Sequence, residues 1–137
     1  YLAGCVLFDE AGRALLVHRY SSDRTQWEIP GGKLEEGESA AEAAKRELCE
    51  ELGVEVVITG LLGSCEFFEN QQLMIYDWFS GIVRSGVPAL VETGKFDDLR
   101  YFTWDELWSL RHQLSASAVR LVAACLRLTD SSLEIKK

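Results

Sequence analysis

The 137-residue chain has no long hydrophobic run. Its apolar stretches are soon interrupted, as Glu55 interrupts 54–58, and none approaches the roughly 18 residues needed to cross a membrane. No basic, apolar, small-residue pattern marks a secretory signal, although the chain opens at Tyr1 and so leaves a preceding segment open. Cysteine is sparse. Cys5, Cys49, Cys65 and Cys125 form no CxxC pair, which speaks against a structural zinc site, and they suggest no disulfide framework. They read as small buried hydrophobes in a protein of the reducing cytoplasm. Basic charge is also scarce, with 14 Lys and Arg against 22 Asp and Glu and a net charge of −8. That balance argues against a general nucleic-acid or anionic-membrane surface, both of which want a basic face. It leaves room for a polyphosphate substrate whose charge a metal neutralises. The two histidines, His18 and His112, are isolated and take no role.

What is present suits one globular domain over 1–137, with 47% hydrophobic and 26% charged residues. There is no internal repeat, low-complexity tract or linker. Residues 2–8 and 13–19 read as strands joined by a turn at 9–12, a hairpin. A polar loop, 21–26, leads to a short extended piece, 27–32. The clearest helix is 39–52: Ser39 and Glu42 form a capping-box pattern, and Gly53 stands where a left-handed stop is expected. Residues 54–58 read as a strand, 61–68 and 73–83 as a strand pair, 85–96 as a loop, and 99–103 as a last strand. A short helix starts at Trp104 and an amphipathic one covers 115–128. Strands, a helix, more strands and then helices predict a mixed sheet covered by helices.

The chemistry concentrates on the 39–52 helix. At about 100° per residue, with Glu47 at zero, Glu50 falls near 300° and Glu51 near 40°. The three carboxylates share a narrow face at the edge of the apolar stripe of Ala41, Ala44, Leu48 and Leu52. Like charges at spacings of three and four repel, and burial at the stripe's edge worsens the repulsion. A hard divalent cation relieves both costs. Arg46 can orient a neighbouring carboxylate such as Glu50. Taken alone, the triplet reads more readily as a solvated acidic face with Lys45 and Arg46 as ordinary partners.

The surrounding residues alter that balance. From Gly32 the chain runs through five residues to Glu38, seven to Arg46-Glu47-Leu48, one to Glu50-Glu51, and one to Gly53-Val54. This run resembles the Nudix box at every specified position. The approach 27–32 and the order of elements around the box also resemble that family. The resemblance implies an α/β/α sandwich with a mixed central sheet and a loop–helix–loop that binds Mg2+, with Mn2+ as a substitute. It implies hydrolysis of a diphosphate linkage in a nucleoside diphosphate joined to another group. Glu47, Glu50 and Glu51 match the family's metal-binding and catalytic glutamates, and the Gly31 carbonyl matches a further ligand position. Glu47 is a candidate general base, with Glu66, Glu69, Glu92, Asp97 and Asp98 as loop alternatives. Glu38 matches a supporting acid and Arg46 the arginine that holds a catalytic glutamate.

Arg19, at the end of the second strand, is where relatives often place a phosphate-binding arginine, with Arg24 and Lys33 as alternatives. Lys33, Trp27 and Asp98 complete the expected substrate contacts. A base or sugar needs an aromatic wall, for which Trp27, Phe67, Phe68, Tyr76 and Trp78 are available, although such residues also serve as core. Relatives that cleave ADP-ribose often carry a proline about sixteen residues past the box; Asn70 stands there, and the next proline is Pro88. The expected substrate is thus a small nucleotide, with preference for a nucleoside triphosphate cut to monophosphate and pyrophosphate. ADP-ribose or a nucleotide sugar is the alternative. A nucleotide-binding module without catalysis and a scaffold are the non-enzyme readings. A homodimer is left open.

Overall fold

The computed structural model describes residues 1–91 and 94–126. Seven strands and three helices follow in order: β1 (Leu2–Leu7), β2 (Ala14–Tyr20), β3 (Thr25–Glu28), β4 (Gly31–Lys33), α1 (Ala40–Leu52), β5 (Glu55–Glu69), β6 (Gln72–Ser85), β7 (Phe96–Phe102), α2 (Trp104–Ser109) and α3 (Ala116–Cys125). They form a mixed sheet in the order β4-β1-β6-β5 and an antiparallel sheet in the order β3-β2-β7. Of the expected 115–128 helix, residues 127 and 128 lie outside the described residues.

Side chains alternate across a strand, so β1 and β2 each feed two cores. Ala3, Cys5, Leu7, Leu15 and Val17 pack with Ala43, Ala44, Leu48 and Leu52 of α1. Val6, Ala14 and Leu16 face the other way and pack with Leu107 of α2 and Leu121 and Val122 of α3. The sheets therefore lie between α1 and the α2–α3 pair, an α/β/α sandwich. Strands covered on both faces read as continuous apolar runs rather than alternating ones. Burying Leu48 and Leu52 contributes about 1.5–3 kcal/mol each.

The expected hairpin of the first two strands is corrected. It begins as one, with a bridge between Phe8 and Ala14 and an Asp9 N–H to Arg13 O bond of 3.0 Å. The strands then part: β1 pairs with β4 and β6, while β2 pairs with β3 and β7. Two strands apolar on both faces cannot be told from a hairpin by local pattern, because distant partners decide their pairing. The 27–32 piece likewise becomes two strands in different sheets, divided at Pro30, whose carbonyl accepts from Cys5 N–H at 3.1 Å. The strands expected at 54–58 and 61–68 are one, β5, with irregular register at Ile58/Gly60 and Leu61/Gly63. Glycines within a strand mark such bulges. Its hairpin with β6 turns on Asn70 and Gln71, at φ 51° and 65°, the left-handed pair of a tight two-residue turn.

Both ends of α1 match their sequence signals. The Ser39 hydroxyl accepts from Glu42 N–H at 3.2 Å, and the Glu42 carboxylate accepts from Ser39 N–H at 3.0 Å. Gly53 closes the helix at φ 69°, its N–H bonded to Cys49 O at 3.0 Å. A Cβ there would also lie 3.1 Å from the Val91 side chain. Gly53→Ala is therefore expected to cost about 1–2 kcal/mol, read as a lower midpoint in urea, with the slope unchanged.

Candidate active site

The loop 31–38 and α1 are knitted together by Arg46. Its Nε donates to Glu38 Oε2 at 2.7 Å, and Nη2 donates to Glu38 Oε1 at 3.1 Å and to the Lys33 carbonyl at 3.0 Å. Nη1 donates to Glu47 Oε1 at 2.9 Å and to Glu50 at 3.2 Å. The guanidinium beside it holds the Glu38 carboxyl below its ordinary range, while these carboxylates, Glu38 foremost, push Arg46 further up. One planar group thus sets the position of three carboxylates, two of them on its own helix.

The three helix glutamates take different depths. Glu50 is half exposed, Glu47 is nearly buried, and Glu51 is wholly buried. This follows from the helical wheel, since Glu51 turns towards the apolar stripe and Glu50 away from it. Gly32 passes so close to Glu47 that a Cβ there would stand 2.6 Å from its carboxyl carbon. At Gly31 a Cβ would collide with Ala3 O and meet the Tyr76 hydroxyl at 2.8 Å. The two glycines let the backbone lie between these groups. Gly32→Ala is expected to push the Glu47 carboxylate aside, so that turnover drops at least about tenfold while the thermal midpoint moves little.

Above these groups opens a cleft of about 1080 Å³, lined among others by Glu28, Glu47, Phe67 and Tyr76 and by the cations Arg19 and Lys33. A smaller depression of about 430 Å³ over Tyr1, Leu34 and Met74 shares Lys33 but has no acidic side chain in its walls. Of the three helix glutamates, Glu47 lines the large cleft, together with Glu28, Glu35 and Glu69, while Glu50 and Glu51 do not.

Residues 2–125 match the family model described as NUDIX domain. The chain belongs to the NUDIX family. Its fold is that of MutT-like NUDIX structures: a MutT NUDIX hydrolase from Burkholderia pseudomallei superposes with a TM-score of 0.77 at 26% identity, over 88% of this chain and 93% of that one. An RNA pyrophosphohydrolase from Dinoroseobacter shibae is 51% identical over 53 residues, 39% of this chain and 33% of that protein. A putative 8-oxo-dGTP diphosphatase from Bacillus subtilis is 33% identical over 78 residues, 56% of this chain and 51% of that protein. The chain thus spans between a third and a half of the length of these curated relatives.

Among the described residues, no three acidic, histidine or cysteine side chains form a ready-made cage. Arg46 stands between Glu47 and Glu50 and occupies oxygens of both. Glu47 and Glu51, one turn apart, and the backbone carbonyl at Gly31 offer oxygen donors. An all-oxygen set suits a hard cation, and one or two carboxylates suffice for an ion that keeps waters and shares substrate phosphates. The donor set therefore fits magnesium better than any softer metal.

The expected substrate residues divide. Arg19 and Lys33 line the cleft with Arg24. Arg19 is held by Glu28, Nε to Oε2 at 2.6 Å and Nη2 to Oε1 at 3.0 Å, with the Phe96 ring 5.0 Å beneath it. Trp27 is not brought to the cleft. It is 7% exposed and packs 4.9 Å from Phe102 and 4.8 Å from His18 in the core on the α2–α3 side. Asp98 is also not brought to it: its carboxylate accepts from its neighbour Leu99 N–H at 2.8 Å and pairs with Arg100 at 3.0 Å. The strand alternation that aims Glu28 into the cleft turns Trp27 into the core. Of the alternative acids, Glu69 lines the cleft 3.9 Å from Arg24, Asp97 pairs with His18 at 2.6 Å, and Glu66 is exposed outside the cleft wall. Glu92 lies outside the described residues. Phe67 and Tyr76 supply the aromatic wall, Trp78 is buried, and Phe68 points outwards.

Sequence reasoning missed Glu28 and the α3 start, where Ser115 and Ser117 line the cleft. Glu28 was legible from the alternation of β3. The serines were legible as a helix cap, but nothing local says that this cap faces the cleft.

Proposed function

We propose that this NUDIX protein is a magnesium-dependent pyrophosphohydrolase that cuts a diphosphate linkage in a nucleotide. One observation carries the reading: nearly buried Glu47 lies against the Gly32 backbone, one helical turn from buried Glu51, and lines a cleft that Arg19 and Lys33 line with it. Buried carboxylates this close are stable only with compensating charge or donors. Glu47 and Glu51, with the Gly31 carbonyl and with Glu50 near them, would hold Mg2+ or Mn2+. When bound, the ion would offset phosphate charge and acidify water. Arg46 keeps Glu47 turned towards the cleft, where its carboxylate can take a proton from the attacking water. Arg19, locked by Glu28, and Lys33 bind the phosphate chain.

The preferred substrate is a nucleoside triphosphate, released as monophosphate and pyrophosphate. A second reading, removal of pyrophosphate from an RNA 5′ end, is favoured by the relative named RNA pyrophosphohydrolase, whose 53 matched residues are 51% identical. The net charge of −8 argues against an extended RNA surface and for contact at the terminus only. The test is a turnover panel with magnesium: nucleoside triphosphates, oxidised purine triphosphates, ADP-ribose, nucleotide sugars and a 5′-triphosphorylated oligoribonucleotide, with products resolved by chromatography. Turnover confined to triphosphates supports the first reading. Turnover confined to the oligoribonucleotide replaces it with the second. Silence across the panel with magnesium bound would reject hydrolysis.

A further inference from the structure

The floor of the cleft holds a donor that the reading above does not use. Tyr76 is 7% exposed and lines the cleft. Its ring stacks on Trp78, centroids 5.4 Å apart at 25°, which fixes the direction of the hydroxyl. The hydroxyl reaches the backbone of Gly4 and Gly31, where Cβ atoms would approach it to 2.7 and 2.8 Å. No hydrogen bond to a described residue engages this hydroxyl, and it is not among their fully buried unpartnered atoms, so it opens onto the cleft. A tyrosine hydroxyl on a buried ring usually finds a partner, and one without a partner in the chain calls for an explanation.

The surroundings supply one. The next residue, Gly32, lies against the Glu47 carboxylate, and Glu28 and Glu47 line the same cleft. A lysine here would be taken up by these carboxylates, as Arg19 is by Glu28. A hydroxyl is a neutral donor, and no carboxylate of the described residues engages this one in a hydrogen bond. It stays available to an acceptor that arrives from outside. The acceptor that fits beside the glutamates is a phosphoryl oxygen, since its charge is shared with the cations of the cleft.

We propose that the Tyr76 hydroxyl donates a hydrogen bond to a phosphoryl oxygen of the bound substrate, as a further catalytic residue. The inference rests on the pyrophosphohydrolase reading, but its first measurement does not need turnover. Inorganic pyrophosphate with magnesium is titrated by calorimetry into the full chain and into Tyr76→Phe, with Tyr101→Phe as a control on an exposed tyrosine.

The phenylalanine variant keeps the ring stack and loses one oxygen that holds nothing in the free protein. Its thermal midpoint is therefore expected to equal or exceed that of the parent, which a structural role for the hydroxyl would not allow. Its affinity for pyrophosphate is expected to fall about tenfold, and kcat on the best substrate of the panel about 10²-fold. Tyr101→Phe leaves both unchanged. Equal affinity and turnover in parent and Tyr76→Phe overturn the inference, as does a parent that does not bind pyrophosphate. A lowered midpoint with proportionate loss of binding also overturns it, in favour of a structural role. Weakened pyrophosphate binding in a protein that hydrolyses nothing would keep the inference and reject the hydrolase reading instead.

Discussion

Glu51→Gln is expected to lower turnover by at least about 10²–10³-fold while leaving the metal-free protein folded. Glu51 is wholly buried on α1, one turn from Glu47. Burying a carboxylate costs several kcal/mol of desolvation, which a bound cation offsets and a neutral amide does not incur. The substitution keeps the side-chain volume and removes the charge. Without magnesium the variant is thus expected to lose no more than about 1 kcal/mol, because the lost desolvation cost offsets any lost contact. With magnesium the parent gains thermal stability and the variant gains little, as binding to the folded state alone dictates. Calorimetric magnesium titration and melting curves with and without the ion check this. Full turnover in Glu51→Gln would remove Glu51 from the site.

Arg46→Ala has the second largest expected effect, and it acts through position rather than contact with substrate. The guanidinium bonds Glu38, Glu47, Glu50 and the Lys33 carbonyl, and it also lies 3.2 Å from Glu35. Its removal leaves four carboxylates without their common cation and frees the loop that carries Gly31 and Gly32. Bonds to charged groups are each worth about 1.5–3 kcal/mol where water is excluded. The side chain is 22% exposed and most partners are wet, so screening lowers the expected loss to about 2–3 kcal/mol in total. Turnover is expected to fall at least about 10²-fold, because Glu47 is no longer held. Arg46→Lys keeps the charge but not the fork, so its turnover should stay well below that of the parent. Parent-like kinetics in Arg46→Lys would mean that charge alone suffices and that the fork plays no part.

The helix and its chemistry were legible before the fold was seen. Spacing alone placed Glu47, Glu50 and Glu51 at the edge of the apolar stripe; the structure buries Glu47 and Glu51 and leaves Glu50 half exposed. The cap at Ser39 and the stop at Gly53 were equally plain. Such features depend on residues within a turn or two of each other, where helical geometry settles the neighbours. The family is confirmed over residues 2–125, and the sandwich expected from the order of elements is observed. The residues of the substrate cleft were legible only in part. Arg19 and Lys33 reach it, whereas Trp27 and Asp98 do not. A tryptophan before a turn reads alike as a wall of the cleft or a plug of the core; its partner across space, Phe102, decides.

The sequence by itself determined the family, the helix that carries the glutamates, the face they share beside the apolar stripe, and the oxygen-rich chemistry they permit. Each rests on short-range spacing, which the backbone of a helix converts directly into geometry. Only the tertiary structure decided that β1 and β2 part into different sheets, that Glu28 locks Arg19, and that the Tyr76 hydroxyl meets Gly31, the neighbour of the Gly32 that lies against Glu47. These depend on strands brought together from distant parts of the chain, with Leu2 beside Tyr76 and Gly4 beside Gly31. Such pairings follow from how two-faced apolar strands share a limited core, a choice that no local pattern encodes.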